Sequence, residues 1–193
     1  MSRLPHLTPA DLDPEQRALY DAITGGPRAA GPQRFPLVDA AGALTGPFNA
    51  MLLAPPAGQA LQELGAAIRY GTTLTDRVRE LAILAVAARW DSAFERSAHE
   101  PHARAAGITE AQLMALRGFA VPELGDEIER AALRFVFSLL REDDVDTVTY
   151  AETVPIIGNR MAVELTTLVG YYATLALQLR VFRVTEPGGS RHR

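Results

Sequence analysis

The sequence predicts an all-α protein, and three observations carry that prediction. Every periodic apolar segment repeats at helical spacing. The one β-leaning stretch, Val145 to Tyr150, is short and polar. The run Leu81, Ile83, Leu84, Val86 and Ala87 is too unbroken for a surface helix and too long for one strand. It reads as a helix buried on all sides, in which charge is unexpected. At 193 residues the chain suits a single domain over 1–193. Within it we expect an N-terminal helix and loop arm over 1–47, a helical core over 48–183 and a flexible tail over 184–193.

Each element has a local cause. Asp13 followed by Pro14, Glu15 and Gln16 sets an N-cap, a proline at the first helical position and a capping-box glutamine, so a helix runs to about Ile23. Residues 24–47 are rich in Gly and Pro, a loop long enough to serve as a lid or as an arm on a neighbouring subunit. A short helix is expected over 50–54. After Pro55-Pro56 a second one carries a Leu61, Leu64, Ile68 stripe and stops at Gly71. Thr75 caps the apolar helix, which ends near Trp90-Asp91. Another follows from about Ser92 to Ala106, with Pro101 inside it predicting a kink or restart. Thr109 and Gln112 form a capping box, with Ile108 and Leu113 as a hydrophobic staple. Ile128, Ala131, Ala132, Phe135, Val136, Leu139 and Leu140 define an amphipathic helix. A short helix over 147–154 and a long one capped by Asn159 and reaching about Val181 complete the pattern as helical hairpins of a bundle.

Composition narrows the function classes. Net charge is -4, and the 19 basic residues, all of them Arg, are scattered, so no nucleic-acid or anionic-membrane footprint is present. With zero Cys, disulfides, thiolate metal ligands and thiol nucleophiles are excluded. The N-terminus lacks an apolar segment of signal-peptide length, and the apolar stretch Leu165 to Leu179 falls short of the ~20 residues of a membrane span. The expected location is the cytoplasm.

The residues with chemical potential cluster in one stretch. Glu95 and His99 lie four apart, on one face of a helix and within reach of a shared proton. Their neighbours Trp90, Phe94, Ala98 and Ala103 are mostly apolar, and desolvation shifts the pKa values of such a pair toward neutral pH. Glu80 is a carboxylate at the head of the apolar run, five residues past the cap at Thr75, where the helix-dipole effect has faded. His102 follows His99 by three, but a carboxylate-bundle metal site needs such motifs from two helices, so no metal is expected. Ser92 reads as a helix cap, and Tyr171 and Tyr172 as core residues.

R-E-L-A-I-L from Arg79, followed by W-x-x-x-F-E-x-x-x-H-E-P-x-A-x-x-A-G-I-T from Trp90, resembles the carboxymuconolactone decarboxylase family, which shares its all-α fold with the alkyl hydroperoxidase D (AhpD) proteins. The likeness extends to Gly46-Pro47-Phe48-Asn49, to residues 61–116 and to Val169-Gly170-Tyr171-Tyr172. The peroxidase branch carries Cys-x-x-Cys where this chain has Ser92 and Glu95, with a Glu matching Glu80 and a His matching His99. The resemblance therefore implies the Cys-less decarboxylase branch, not a thiol peroxidase. It implies an AhpD-like helical bundle, a homotrimeric or hexameric assembly, no cofactor, and Glu80, Glu95 and His99 as catalytic residues.

In the implied reaction a carboxylate leaves an unsaturated lactone, and the resulting dienolate is protonated at carbon. His99 is expected as donor, with Glu95 holding the imidazolium and Glu80 behind as a relay. Arg96 or Arg79 would anchor a small anionic substrate, with Trp90, Phe48 and Tyr171 contributing to its binding. Arg96 and Arg180 depart from the family pattern, at positions usually held by Trp and Asn. The same residues would serve a proton-transfer isomerase, dehydratase or cyclase of a specialised metabolite pathway, or an oligomeric scaffold without catalysis.

Overall fold

A computed structural model describes residues 2–26 and 36–184. The middle of the predicted loop, 27–35, and the tail from 185 onward lie outside the described residues. Eight α-helices are found there: α1 (Pro14–Thr24), α2 (Pro47–Met51), α3 (Pro55–Tyr70), α4 (Asp76–Arg89), α5 (Ala93–Ala105), α6 (Glu110–Arg117), α7 (Glu127–Glu142) and α8 (Thr147–Phe182). Among the described residues there is no strand, just an isolated bridge between Val38 and Leu44. The fold is all-α.

Contacts divide the chain into two compact units, Met1–Ala67 with Leu177–Arg193, and Ile68–Ala176. In the first unit, the Asp13 side chain accepts from the Gln16 N–H and the Gln16 side chain reaches back, the capping box read from sequence. α2 begins at Pro47, earlier than predicted, because Pro47 is itself the first helical residue after Gly46. Of the apolar stripe expected on α3, Ile68 is buried and Leu61 half-buried, but Leu64 is exposed, and Gly58 and Gln62 are buried as well. Gly58 permits this. A Cβ there would lie 2.4 Å from the Met51 carbonyl oxygen and 2.8 Å from Leu19 Cδ2, so the helix meets its neighbours through backbone rather than through leucines.

The second unit is organised around α4. The Thr75 side chain accepts from the Val78 N–H to start it, and α5, α6 and α7 all pack on it. Val78 and every residue from Glu80 to Ala87 are buried. Each large apolar side chain sealed there contributes roughly 1.5–3 kcal/mol. Ser92 caps α5, accepting from the Glu95 N–H. α5 then runs through Pro101 to Ala105, so the helix does not restart at the proline. Thr109 and Gln112 form the predicted box, and Ile108 and Leu113 are both buried.

The predicted break near Asn159 is present as a kink inside α8. Gly158 adopts φ 79°, ψ 156°, a conformation that side-chain-bearing residues rarely take, and the helix resumes beyond it. The preceding arm is longer than the 147–154 expected, carrying Pro155 within it. Glu164 ties α8 down by accepting from the Thr73 N–H at 3.0 Å and the Thr73 hydroxyl at 2.6 Å. Leu165, Leu168, Tyr171, Tyr172 and Leu175 are buried. Among the described residues no helix is long and apolar enough to cross a membrane.

Candidate active site

Three ionisable side chains are sealed inside the second unit: Glu80 at 2% exposure, Glu95 at 3% and His99 at 6%. Burying even one charge is expensive unless it is paired, so their arrangement decides whether the cluster is tolerated. Glu80 Oε2 lies 2.8 Å from His99 Nδ1, a charge-assisted hydrogen bond between α4 and α5. His99 Nε2 lies 3.6 Å from Glu95 Oε2, beyond hydrogen-bond distance. The i, i+4 pair read from sequence is therefore adjacent but not bonded. Glu80, expected behind the others, is the residue that orients the imidazole. It can do so because α4 is buried all round, so its one carboxylate can face nothing but another packed helix.

The two carboxylates titrate in opposite directions. Burial pushes the Glu80 carboxyl up, but the His99 charge and hydrogen bond, reinforced by Arg69 and His102, hold it below the usual range. Burial pushes Glu95 up to about 7; the His99 charge offsets part of this and the Glu80 charge adds to it. Glu95 Oε1 also has no hydrogen-bond partner. One carboxylate is thus held ionised against a histidine, while its neighbour carries its proton near neutral pH. That divergence is how a site assigns acid and base roles to like groups.

The rest of the cluster is aromatic and basic. Tyr172 meets His99 edge-on, with ring centroids 5.2 Å apart, and burial with the Glu95 charge pushes its phenol well above the usual tyrosine range. Tyr171, the tyrosine expected at the site, packs edge-on against Tyr172. The His102 ring centroid is 6.1 Å from that of His99, and Arg69 contacts His102. Neither Tyr172 nor Arg69 was selected from sequence. Tyr172 lies one position from the residue that was, and the turn of α8 decides which of the two faces His99. Arg69 is at the end of a different helix, and sequence holds no signal that brings it here.

Residues 55–137 match the model of the carboxymuconolactone decarboxylase family. This segment, under half of the chain, is similar to that family. It contains Glu80, Glu95 and His99. Among solved structures, the chain is similar to the alkylhydroperoxidase AhpD core of an uncharacterised peroxidase-related protein from Ralstonia eutropha, with TM-score 0.72, 15% identity and coverage of 97% of this chain and 93% of that one. A peroxidase-related protein from Silicibacter gives TM-score 0.71 at 14% identity, covering 97% and 92%. The debrominase Bmp8, crystallised with 2,3,4-tribromopyrrole, also gives TM-score 0.71 at 14% identity, covering 97% and 95%. At these identities the likeness establishes the AhpD-like fold. No curated protein matches.

The remaining residues picked from sequence are placed differently. Arg79 pairs with Asp76 and donates to the Leu74 carbonyl at 3.3 Å, so its charge is engaged at the start of α4. Arg96 lines a separate cleft with Leu84, Leu113, Leu116 and Arg117. Trp90 is the half-buried C-cap of α4, and Phe48 is half-buried in α2 of the first unit. Among the described residues no group of three or more His, Asp or Glu is placed to hold a metal ion.

Proposed function

We propose that this protein is a cofactor-independent acid–base enzyme that decarboxylates a small unsaturated lactone or related carbonyl compound bearing a carboxylate. The observation that carries the reading is Glu95: buried, protonated near neutral pH, with an unpartnered oxygen, beside an imidazole clamped by Glu80. The family match over 55–137 supports the same reaction class.

The chemistry follows from those positions. The bond between ring carbon and carboxylate breaks, carbon dioxide departs, and the electron pair runs into the conjugated carbonyl as a dienolate. Glu95 gives its proton to carbon, and the enolate electrons return to close the product. The carboxylic acid is the stronger candidate for donor because a pKa of about 7 keeps it partly protonated at neutral pH and its Oε1 has no hydrogen-bond partner among the described residues. His99, oriented through Nδ1 by Glu80, presents Nε2 toward Glu95 and assists its reprotonation from water. This moves the donor role expected for His99 to Glu95, the orienting role expected for Glu95 to Glu80, and the relay role expected for Glu80 to His99. The site needs no electron sink beyond the substrate's own carbonyl.

Incubating the protein with a carboxylated butenolide in deuterated water tests the reading. Carbon dioxide release with one deuterium incorporated at carbon is expected, abolished in Glu95→Gln and His99→Gln. Deuterium exchange without carbon dioxide would instead identify a proton-transfer isomerase. Neither event with any carboxylated lactone would reject catalysis of this class.

A further inference from the structure

The proposed reaction creates negative charge on a carbonyl oxygen, and neither Glu80 nor Glu95 can stabilise it. A cation must come from elsewhere in the unit. Most arginines there are already committed: Arg77 to Glu129, Arg104 and Arg117 to Glu100, and Arg160 to Glu164. Arg69 is different. It is half-buried at the end of α3, and its side-chain contacts among the described residues are both to His102, from one terminal nitrogen at 3.3 Å to Nδ1 and 3.2 Å to Nε2.

Those two distances fix the geometry. The ring nitrogens of an imidazole point away from each other, so a donor in the ring plane approaches one and not both. Near-equal approach places the guanidinium nitrogen over the ring face, with its N–H directed at the ring rather than in plane with either nitrogen. That contact uses one terminal nitrogen, and the planar fork carries further N–H donors on Nε and the other terminal nitrogen that can serve an oxygen ligand. His102 in turn lies beside His99. The Arg69 charge is felt at Glu80 and Tyr172, whereas at Glu95 the charges that matter are those of His99 and Glu80.

We propose that Arg69, held against the face of His102, is the electrophile that receives the charge developing on the substrate's carbonyl oxygen. This rests on the lactone reading above and assigns the other end of the same substrate. As the carbon–carboxylate bond breaks, its electron pair moves through the conjugated system to that oxygen, which becomes an enolate held by Arg69. Glu95 then delivers its proton to carbon and the pair returns. Arg69 gains contact with charge as the reaction proceeds, which is what raises rate rather than ground-state affinity. A cation on the departing carboxylate would do the reverse, because that group loses its charge. Arg96 cannot play this part from its own cleft on α5 and α6.

The test compares two probes of one shape, tetronate, the stable enolate of 4-hydroxy-2(5H)-furanone, and neutral 2(5H)-furanone, by calorimetry. Wild-type protein should bind tetronate about tenfold or more tightly than furanone, the range of a hydrogen bond to a charged group. Arg69→Gln should erase that preference while leaving furanone binding unchanged. Arg69→Met, which keeps the length of the stem, guards against a folding failure in the first variant. An unchanged preference in whichever variant folds, or no preference in wild type, overturns the proposal. Turnover separates it from the reaction itself. A lactone acid decarboxylated with equal kcat by wild type and Arg69→Gln would refute Arg69 and leave the reaction standing. A tetronate preference lost in the variant without carbon dioxide release from any lactone acid would leave Arg69 standing and refute the decarboxylation.

Discussion

Replacing Glu95 by Gln should make the protein more stable and less active, with the gain confined to a defined pH range. The folded-state pKa of Glu95 is raised from 4.5 to about 7, so the folded state binds its proton more tightly than the unfolded chain does. Below 4.5 the group is protonated in both states and costs nothing. Between 4.5 and 7 the unfolded chain ionises first, and stability falls with rising pH. Above 7 the full penalty applies, about 3 kcal/mol at 1.36 kcal/mol per pH unit of separation. Glutamine cannot ionise and escapes this. The stability difference between variant and wild type should therefore grow by about 3 kcal/mol from pH 4.5 to pH 8, or roughly 6–12 °C in Tm for a chain of this size. Other titrating groups are common to both proteins and cancel in the difference. Thermal or urea melts across that range provide the measurement, and a difference independent of pH would refute the account of Glu95.

Three further outcomes are expected. Glu80→Gln breaks a buried pair and should cost about 3–5 kcal/mol at neutral pH, read from melting; because the folded pKa of Glu80 is lowered, its contribution is present above 4.5 and lost as pH falls through the folded value, so the cost should shrink in acid. Gly58→Ala forces a methyl to within 2.4 Å of the Met51 carbonyl oxygen and should lower Tm sharply, whereas an unchanged melt would show that α3 can shift away. The exposed Val148, Ile156 and Val163 on α8 are consistent with the homotrimer or hexamer that we propose, and light scattering that finds just the 20.9 kDa monomer at micromolar concentration would contradict it.

Helix existence was legible because caps and apolar runs are local. Thr75, Ser92 and Thr109 each cap the helix their position predicts, and the unbroken run after Glu80 gave away a helix buried on every face. Where packing is set by an absence of side chain, sequence reading failed: the α3 stripe looked leucine-led, yet glycine provides the close approach. The break at Gly158 was legible from Asn159, but the preceding helix tolerates Pro155 and so ran longer than expected. At the site, Glu80, Glu95 and His99 were recognisable from spacing and family likeness, while their pairing was not. Helical periodicity relates Glu95 to His99 within α5, but the bond that forms crosses between helices, and no periodicity within one helix reveals its partner on another. The same limit hid Arg69, whose position beside His102 is a property of tertiary packing.

The central claim is that a buried carboxylic acid at position 95 holds the proton used in the reaction. Infrared spectroscopy with carboxyl-labelled glutamate tests it most directly, since a protonated carboxyl absorbs apart from carboxylates. We expect a protonated-carboxyl band at pH 6 that is lost with a midpoint near 7, is missing in Glu95→Gln, and falls in step with the rate of carbon dioxide release as pH rises. A band already gone by pH 5, or a rate that climbs while the band disappears, would contradict the assignment of Glu95 as proton donor.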